Sequence, residues 1–232
     1  MTRVISFGLW GDAPRYVEGA EANVVLARTF YPGWQCWFFC DQTVPADTLT
    51  LLSGQSDCRV IISDSTRERQ DRLFWRFWAA SYEEVDTMIV RDADSRIGRR
   101  EQLAVLEWLR GGAGFHVMRD SAVHGVPMCG GMWGCHANRL RHIRHMIDAY
   151  YEAGGHRVVQ CGVDQDFLHQ MVWPLAARDC TEHDEFFVGR PFPRTRRNDR
   201  LYVGRIFAPD DPDYRAHTPR LRSSDPAARD RS

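Results

Sequence analysis

Short apolar runs of strand length alternate with segments of helical period through the first half of the chain, and nothing else in the sequence narrows the fold as much. Val4–Leu9, Trp37–Cys40, Arg59–Ile62, Thr87–Val90 and Phe115–Arg119 read as strands. Between them, Glu18–Phe30, Ala46–Leu52, Asp71–Tyr82 and Arg100–Leu109 carry apolar residues at helical spacing, and further helices are predicted over 137–151 and 166–171. Strands separated by helices imply βαβ units and a mainly parallel sheet. With 232 residues the chain can form one sizeable domain with a buried core. The expected fold is therefore α/β: a single Rossmann-like domain over residues 1–207, its central sheet flanked by helices. From Ala208 onward, "APDDPDYRAHTPRLRSSDPAARDRS" lacks apolar periodicity and reads as a mobile tail, 208–232.

Composition excludes several classes of function. The formal net charge of −1 provides no global field for nucleic acid or an anionic membrane. No apolar run approaches the length of a membrane span, and "MTRVISFGLWGD" lacks a signal-peptide layout, so a cytoplasmic location is expected. Seven cysteines at scattered spacing do not form a disulfide framework and read as reduced core residues. The chain has no Lys; all 30 of its Lys-plus-Arg positions are Arg. A P-loop lysine and lysine Schiff-base chemistry are thereby excluded, and any phosphate must be met by Arg, a metal or backbone N–H groups.

The strand Thr87–Val90 runs almost directly into Asp92-Ala93-Asp94. In extended backbone two carboxylates one residue apart point to the same side, and like charges that close repel unless something relieves them. In parallel α/β sheets ligands bind beyond the carboxyl ends of the strands. A strand end bearing Asp-x-Asp suits a divalent cation that bridges a diphosphate, since Mg²⁺ and Mn²⁺ take one or two carboxylates plus substrate phosphates. The alternative for the pair is a solvated loop with a helix cap.

Four segments, in order, carry a resemblance to a known family: "LFWRFWAASYEEVDTMIVRDADSRI", "CGGMWGCH", "VDQDFL" and "EHDEFFVGRPF". Together they resemble the GT-A glycosyltransferases, and within them the retaining branch of glycogenin and the lipopolysaccharide galactosyltransferases. The resemblance spans roughly Val4 to Phe207 and extends to a bacterial subgroup associated with surface polysaccharides.

It implies Asp92 and Asp94 as ligands of Mn²⁺ or Mg²⁺, with His183 completing the metal shell. It also implies Arg76 on the donor sugar, Gly130 and Gly131 in a small-residue strand beside it, and Asp164 on sugar hydroxyls. Gln165 or Asp166 would lie near the anomeric carbon, and Arg190 would meet the diphosphate in place of the family's lysine. Here Cys129-Gly130-Gly131 replaces the usual Asn or Ser before Gly, the spacing from His183 to Arg190 is one residue longer, and Phe192 replaces Trp. The expected reaction is metal-dependent transfer of a sugar, with retention, from a nucleotide-diphosphate donor (a UDP-sugar by resemblance) to a hydroxyl acceptor. Two alternatives are a sugar-1-phosphate nucleotidyltransferase and a non-catalytic carbohydrate-binding protein on a decayed transferase fold. Among the aromatic residues, Trp10 and Trp133 are candidates for stacking on a sugar face.

Overall fold

Strand β1 (Thr2–Leu9) alternates so that Val4 faces one side of the sheet while Ile5, Phe7 and Leu9 face the other. The same division holds in β2 (Gln35–Cys40), with Trp37 and Phe39 opposite Cys36, Phe38 and Cys40. Burial of both faces explains why these strands are apolar throughout. The computed structural model describes residues 1–63, 71–155, 162–188, 190–196 and 200–223.

The remaining strands are β3 (Cys58–Ile62), β4 (Val85–Val90), β5 (Phe115–Arg119), β6 (Trp133–His136) and β7 (Cys180–Asp184). They form a seven-stranded sheet in the order β3-β2-β1-β4-β6-β5-β7. β6 runs antiparallel to β4 and β5, and every other pairing is parallel. The α/β expectation therefore holds, with two strands added that periodicity did not mark. β6 is short and contains Gly134, where an added Cβ would lie 2.7 Å from the Met88 carbonyl oxygen. β7, "CTEHD", is polar because Arg119 of β5 neutralises its Glu182 and Asp184.

The helices are α1 (Pro14–Phe30), α2 (Ala46–Ser53), α3 (Arg72–Trp75), α4 (Arg99–Gly111), α5 (Ile143–Glu152), α6 (Val163–Phe167), α7 (Trp173–Ala176) and α8 (Tyr214–His217). The helix expected over Asp71–Tyr82 is broken into α3 and a 3₁₀ turn at Trp78–Ser81. Phe74, Trp75, Phe77, Ala79 and Ala80 are all buried, more than one stripe of a continuous helix can bury, so the chain changes pitch between them. Between α6 and α7 the chain makes a π turn, Leu168–Val172. Pro174 follows it; proline has no N–H for the helical ladder and its ring crowds the carbonyl four residues earlier, which favours the wider turn.

The tail expected from residue 208 is packed against the body as far as Ser223. Tyr214 and Leu221 are 5% and 7% exposed, Tyr214 Oη donates to Glu18 Oε2 at 3.0 Å, and Gln55 Nε2 donates to the Arg222 carbonyl at 3.2 Å. Isolated anchors of this kind leave no periodic signal, which is why the segment reads as structureless. Residues 224–232 of the expected tail, like Cys161, lie outside the described residues. Leu221→Ala is expected to lower stability by about 2 kcal/mol, the lower end of the cost of truncating a buried leucine. Urea unfolding measures it, and a shift within error of zero would restore the free-tail reading. Among the described residues no helix is long and apolar enough to cross a membrane.

Candidate active site

β1 pairs with β2 on one side and β4 on the other, so the connections diverge between β1 and β4. A crevice opens at the carboxyl ends of strands at such a switch point. A cavity of about 260 Å³ is found there, lined by Gly8 at the end of β1 and Trp10 just after it, Asp92 and Asp94 after β4, Tyr16 of α1, and Arg76. Gly204 and Ile206 close it from the C-terminal segment.

Arg76 is the hub of the charged groups. Its side chain is 9% exposed and forms ion pairs with Asp92 through Nη1 and with Asp164 through Nη2, the latter at 2.6 Å. Ser6 of β1 fixes the backbone beneath it, donating from Oγ to the Arg76 carbonyl at 2.6 Å. Burial opposes the charge on Arg76, but Asp92 and Asp164 outweigh it and raise the guanidinium above its ordinary value. Arg76 thus stays charged and joins the strand-end carboxylate to α6, 88 residues further along the chain.

Two glycines make this approach feasible. A Cβ on Gly130 would meet the Asp164 carboxylate and Arg76 Nη2, and one on Gly131 would overlap the Asp92 carboxylate. The segment before β6 therefore presents bare backbone to three charged groups, a packing reason for Gly-Gly that does not depend on the resemblance.

The loop carrying the Asp pair is held from α1. Asn23, fully buried, donates from Nδ2 to the Ser95 carbonyl at 3.0 Å and to the Ala93 carbonyl at 3.4 Å, and its Oδ1 accepts from Ile97 N at 3.0 Å. Gly19 lets α1 approach, because a Cβ there would overlap the Ala93 carbonyl oxygen. Phe207 N donates to the Asp94 carbonyl at 2.9 Å from the other side. Asn23, Gly19 and Ser6 escaped sequence reading because each acts on a segment some 70 residues away, and only an unusual Asn in an apolar helix face hinted at it.

Asp94 is 6% exposed. Burial first, and the neighbouring Asp92 second, push its carboxyl up to about 6. Two close carboxylates, one desolvated, form a site that a divalent cation would relieve, and Mg²⁺ or Mn²⁺ requires no more protein ligands than these. The residues present therefore fit the metal that the sequence suggested.

Three sequence expectations part from this cluster. His183 is fully buried on β7, its Nδ1 2.9 Å from His116 Nε2 and its Nε2 3.6 Å from Glu107 of α4. Strand alternation turns it into the layer beneath α4, and among the described residues no group of three His, Cys, Asp or Glu side chains is placed to hold a metal. The three-ligand shell with His183 is not formed. Arg190 stands beside Glu107 at 4.0 Å, its side chain half exposed, and is not part of the Arg76 cluster. Asp166 Oδ2 accepts from Tyr150 Oη at 2.6 Å and Gln170 Nε2 at 2.8 Å, which ties it to α5. Gln165 is half-buried at the start of α6. Of the aromatic candidates, Trp10 lines the cavity, whereas Trp133 is fully buried in the core against Phe77.

No protein-family model matches the chain, and no curated protein sequence matches it. Solved structures do. A glycosyltransferase involved in glycosylation of the major capsid of PBCV-1 superposes with a TM-score of 0.54 at 12% identity, over 81% of this chain and 84% of that one. The apo form of the glycosyltransferase GlyE of Streptococcus pneumoniae TIGR4 gives 0.53 at 13%, over 80% of this chain but 46% of that one. The galactosyltransferase LgtC, solved with donor and acceptor sugar analogs, gives 0.50 at 13%, over 80% and 74%. The chain has the GT-A fold of these enzymes. At such identities the likeness establishes the fold and nothing finer.

Proposed function

We infer that this protein is a metal-dependent glycosyltransferase that moves a sugar from a nucleotide-diphosphate donor to an acceptor hydroxyl with retention of configuration. The observation that carries the reading is the meeting of Asp92, Asp94, Arg76 and Asp164 at the β1/β4 switch point of a GT-A fold. Asp92 and Asp94 would hold Mn²⁺ or Mg²⁺. When bound, the cation supplies positive charge to the diphosphate leaving group.

Arg76 and Asp164 provide a buried donor and acceptor pair for sugar hydroxyls, fixed by their mutual ion pair. Asp166 is committed to Tyr150 and Gln170, while the Gln165 amide has no hydrogen-bond partner among the described residues. That favours Gln165 as the group facing the anomeric carbon. Retention, and a UDP-sugar as donor, rest on the resemblance to the retaining branch. The acceptor hydroxyl loses its proton to the departing phosphate, so no separate general base is assigned.

The test is a thermal-shift panel of nucleoside diphosphates and nucleotide sugars with and without Mn²⁺, on wild type and Asp92→Ala/Asp94→Ala. A ligand at 100 times its Kd stabilises by about 2.7 kcal/mol. One nucleotide should raise the Tm only with metal, and the double variant should not respond. A uniform lack of response would favour the carbohydrate-binding alternative. Release of pyrophosphate from a nucleoside triphosphate and a sugar 1-phosphate would favour the nucleotidyltransferase.

A further inference from the structure

A second cavity, of about 620 Å³, lies away from the Arg76 cluster. It sits between the C-terminal part of α1, the first turn of α4 and the segments 194–196 and 201–219. Leu26, Phe30, Leu201, Val203 and Pro219 make much of its wall apolar. The charges in it do not balance.

Among the described residues five arginines line it: Arg96, Arg99, Arg100, Arg194 and Arg196. Arg100 and Arg196 share Asp120, at 2.8 and 3.3 Å, and Arg100 also pairs with Glu185 at 2.7 Å. Among the described residues Glu101 is the sole carboxylate residue in the lining, and it is bound to Arg91 at 3.1 Å and to Tyr31 at 3.2 Å. Among the described residues Arg96, Arg99 and Arg194 have no carboxylate partner. Arg99 reaches only the amide of Gln102, at 2.6 Å. Arg96 is 8% exposed, bonds backbone carbonyls and Thr218, and keeps its Nε without a partner.

Arg96 lies over the Phe207 and Tyr214 rings at 5.4 and 5.5 Å, and a buried guanidinium with no carboxylate in ion-pair contact is costly. The first turn of α4 adds leading N–H groups that have no intrahelical acceptor, capped by no side chain at Gly98. Positive charge in a partly apolar chamber selects a ligand with an anionic head and an apolar body. Planar guanidinium groups match phosphate in particular.

We propose that this cavity binds a phosphate monoester carried on a short apolar or aromatic group, at a site separate from the Asp92/Asp94 crevice. Ile97 and Gly98 of its wall continue directly from the Asp pair, and Arg96 holds the Ser95 carbonyl at 2.8 Å. A ligand here therefore touches the segment that positions Asp94. The inference does not depend on the sugar-transfer reading.

The experiment is titration calorimetry of the full chain in EDTA with phenyl phosphate, inorganic phosphate and phenol. Phenyl phosphate should bind, inorganic phosphate should bind more weakly, and phenol should not bind. Arg99→Gln/Arg194→Gln, which alters two arginines without carboxylate partners, should weaken phenyl phosphate at least about tenfold, equivalent to about 1.4 kcal/mol. Absence of phenyl phosphate binding to wild type, or undiminished binding to the double variant, would each overturn the assignment.

Discussion

Arg76→Ala is expected to cost about 3–5 kcal/mol of folding stability, the usual penalty for removing one partner of a buried ion pair. The guanidinium is 9% exposed, and the Asp164 carboxylate it pairs with is 6% exposed. Without Arg76 the Asp164 charge remains desolvated, while Asp92, whose side chain is 37% exposed, can turn to water. The loss is therefore assigned mainly to Asp164. The double variant Arg76→Ala/Asp164→Asn should recover part of it, because no buried charge then remains unpaired. Urea unfolding of wild type and the variants provides the numbers, and a single-variant cost below about 1 kcal/mol would place the pair among weak, screened contacts.

Gly19→Ala should also destabilise, although helix propensity alone argues the reverse. In a helix interior Ala is favoured over Gly by about 1 kcal/mol. Here a methyl group would overlap the Ala93 carbonyl oxygen and crowd Arg96 Nη1, at 2.8 Å. Backbone cannot rotate away as a side chain does, so overpacking of about 1–3 kcal/mol is expected to decide the sign. The Asp92–Asp94 loop would shift outward, and metal-dependent nucleotide binding should fall with stability. A more stable Gly19→Ala protein would show that α1 does not press on this loop.

The sequence made the architecture legible where burial is two-sided. Continuous apolar runs such as "QCWFFC" and the amphipathic α4 follow directly from which faces meet the core. It was silent where a strand is stabilised by charge rather than apolar burial. β7 is polar, and its place in the sheet depends on Arg119, which arrives from β5. The packing of the segment 208–223 left no mark for a related reason: Tyr214 and Leu221 are single anchors with no period. The helix expected over 166–171 is in fact α6 followed by the π turn, which Pro174 just beyond it favours.

The candidate site divides along the same line. Asp92 and Asp94 could be placed from sequence because a strand end is a local feature. Arg76, Asp164, Gly130 and Gly131 were reached through motif resemblance, and the structure brings all four against Asp92 or its ion-pair partner. His183 and Arg190 were reached in the same way but lie with Glu107 under α4. A motif preserves order along the chain; it does not preserve the facing of a side chain when the spacing changes by one residue and period-two alternation is at stake.

The sequence alone determined the α/β class, the helix and strand alternation, and the carboxylate pair at a strand end, because each follows from residues within a few positions of one another. Tertiary structure alone decided which groups share the crevice. Asn23 holds a loop some 70 residues away, Gly130 and Gly131 are small because charges from two other segments pass over them, and arginines from three segments meet around one cavity only because of how the chain folds. Those facts depend on distances across the sheet, which local sequence does not encode.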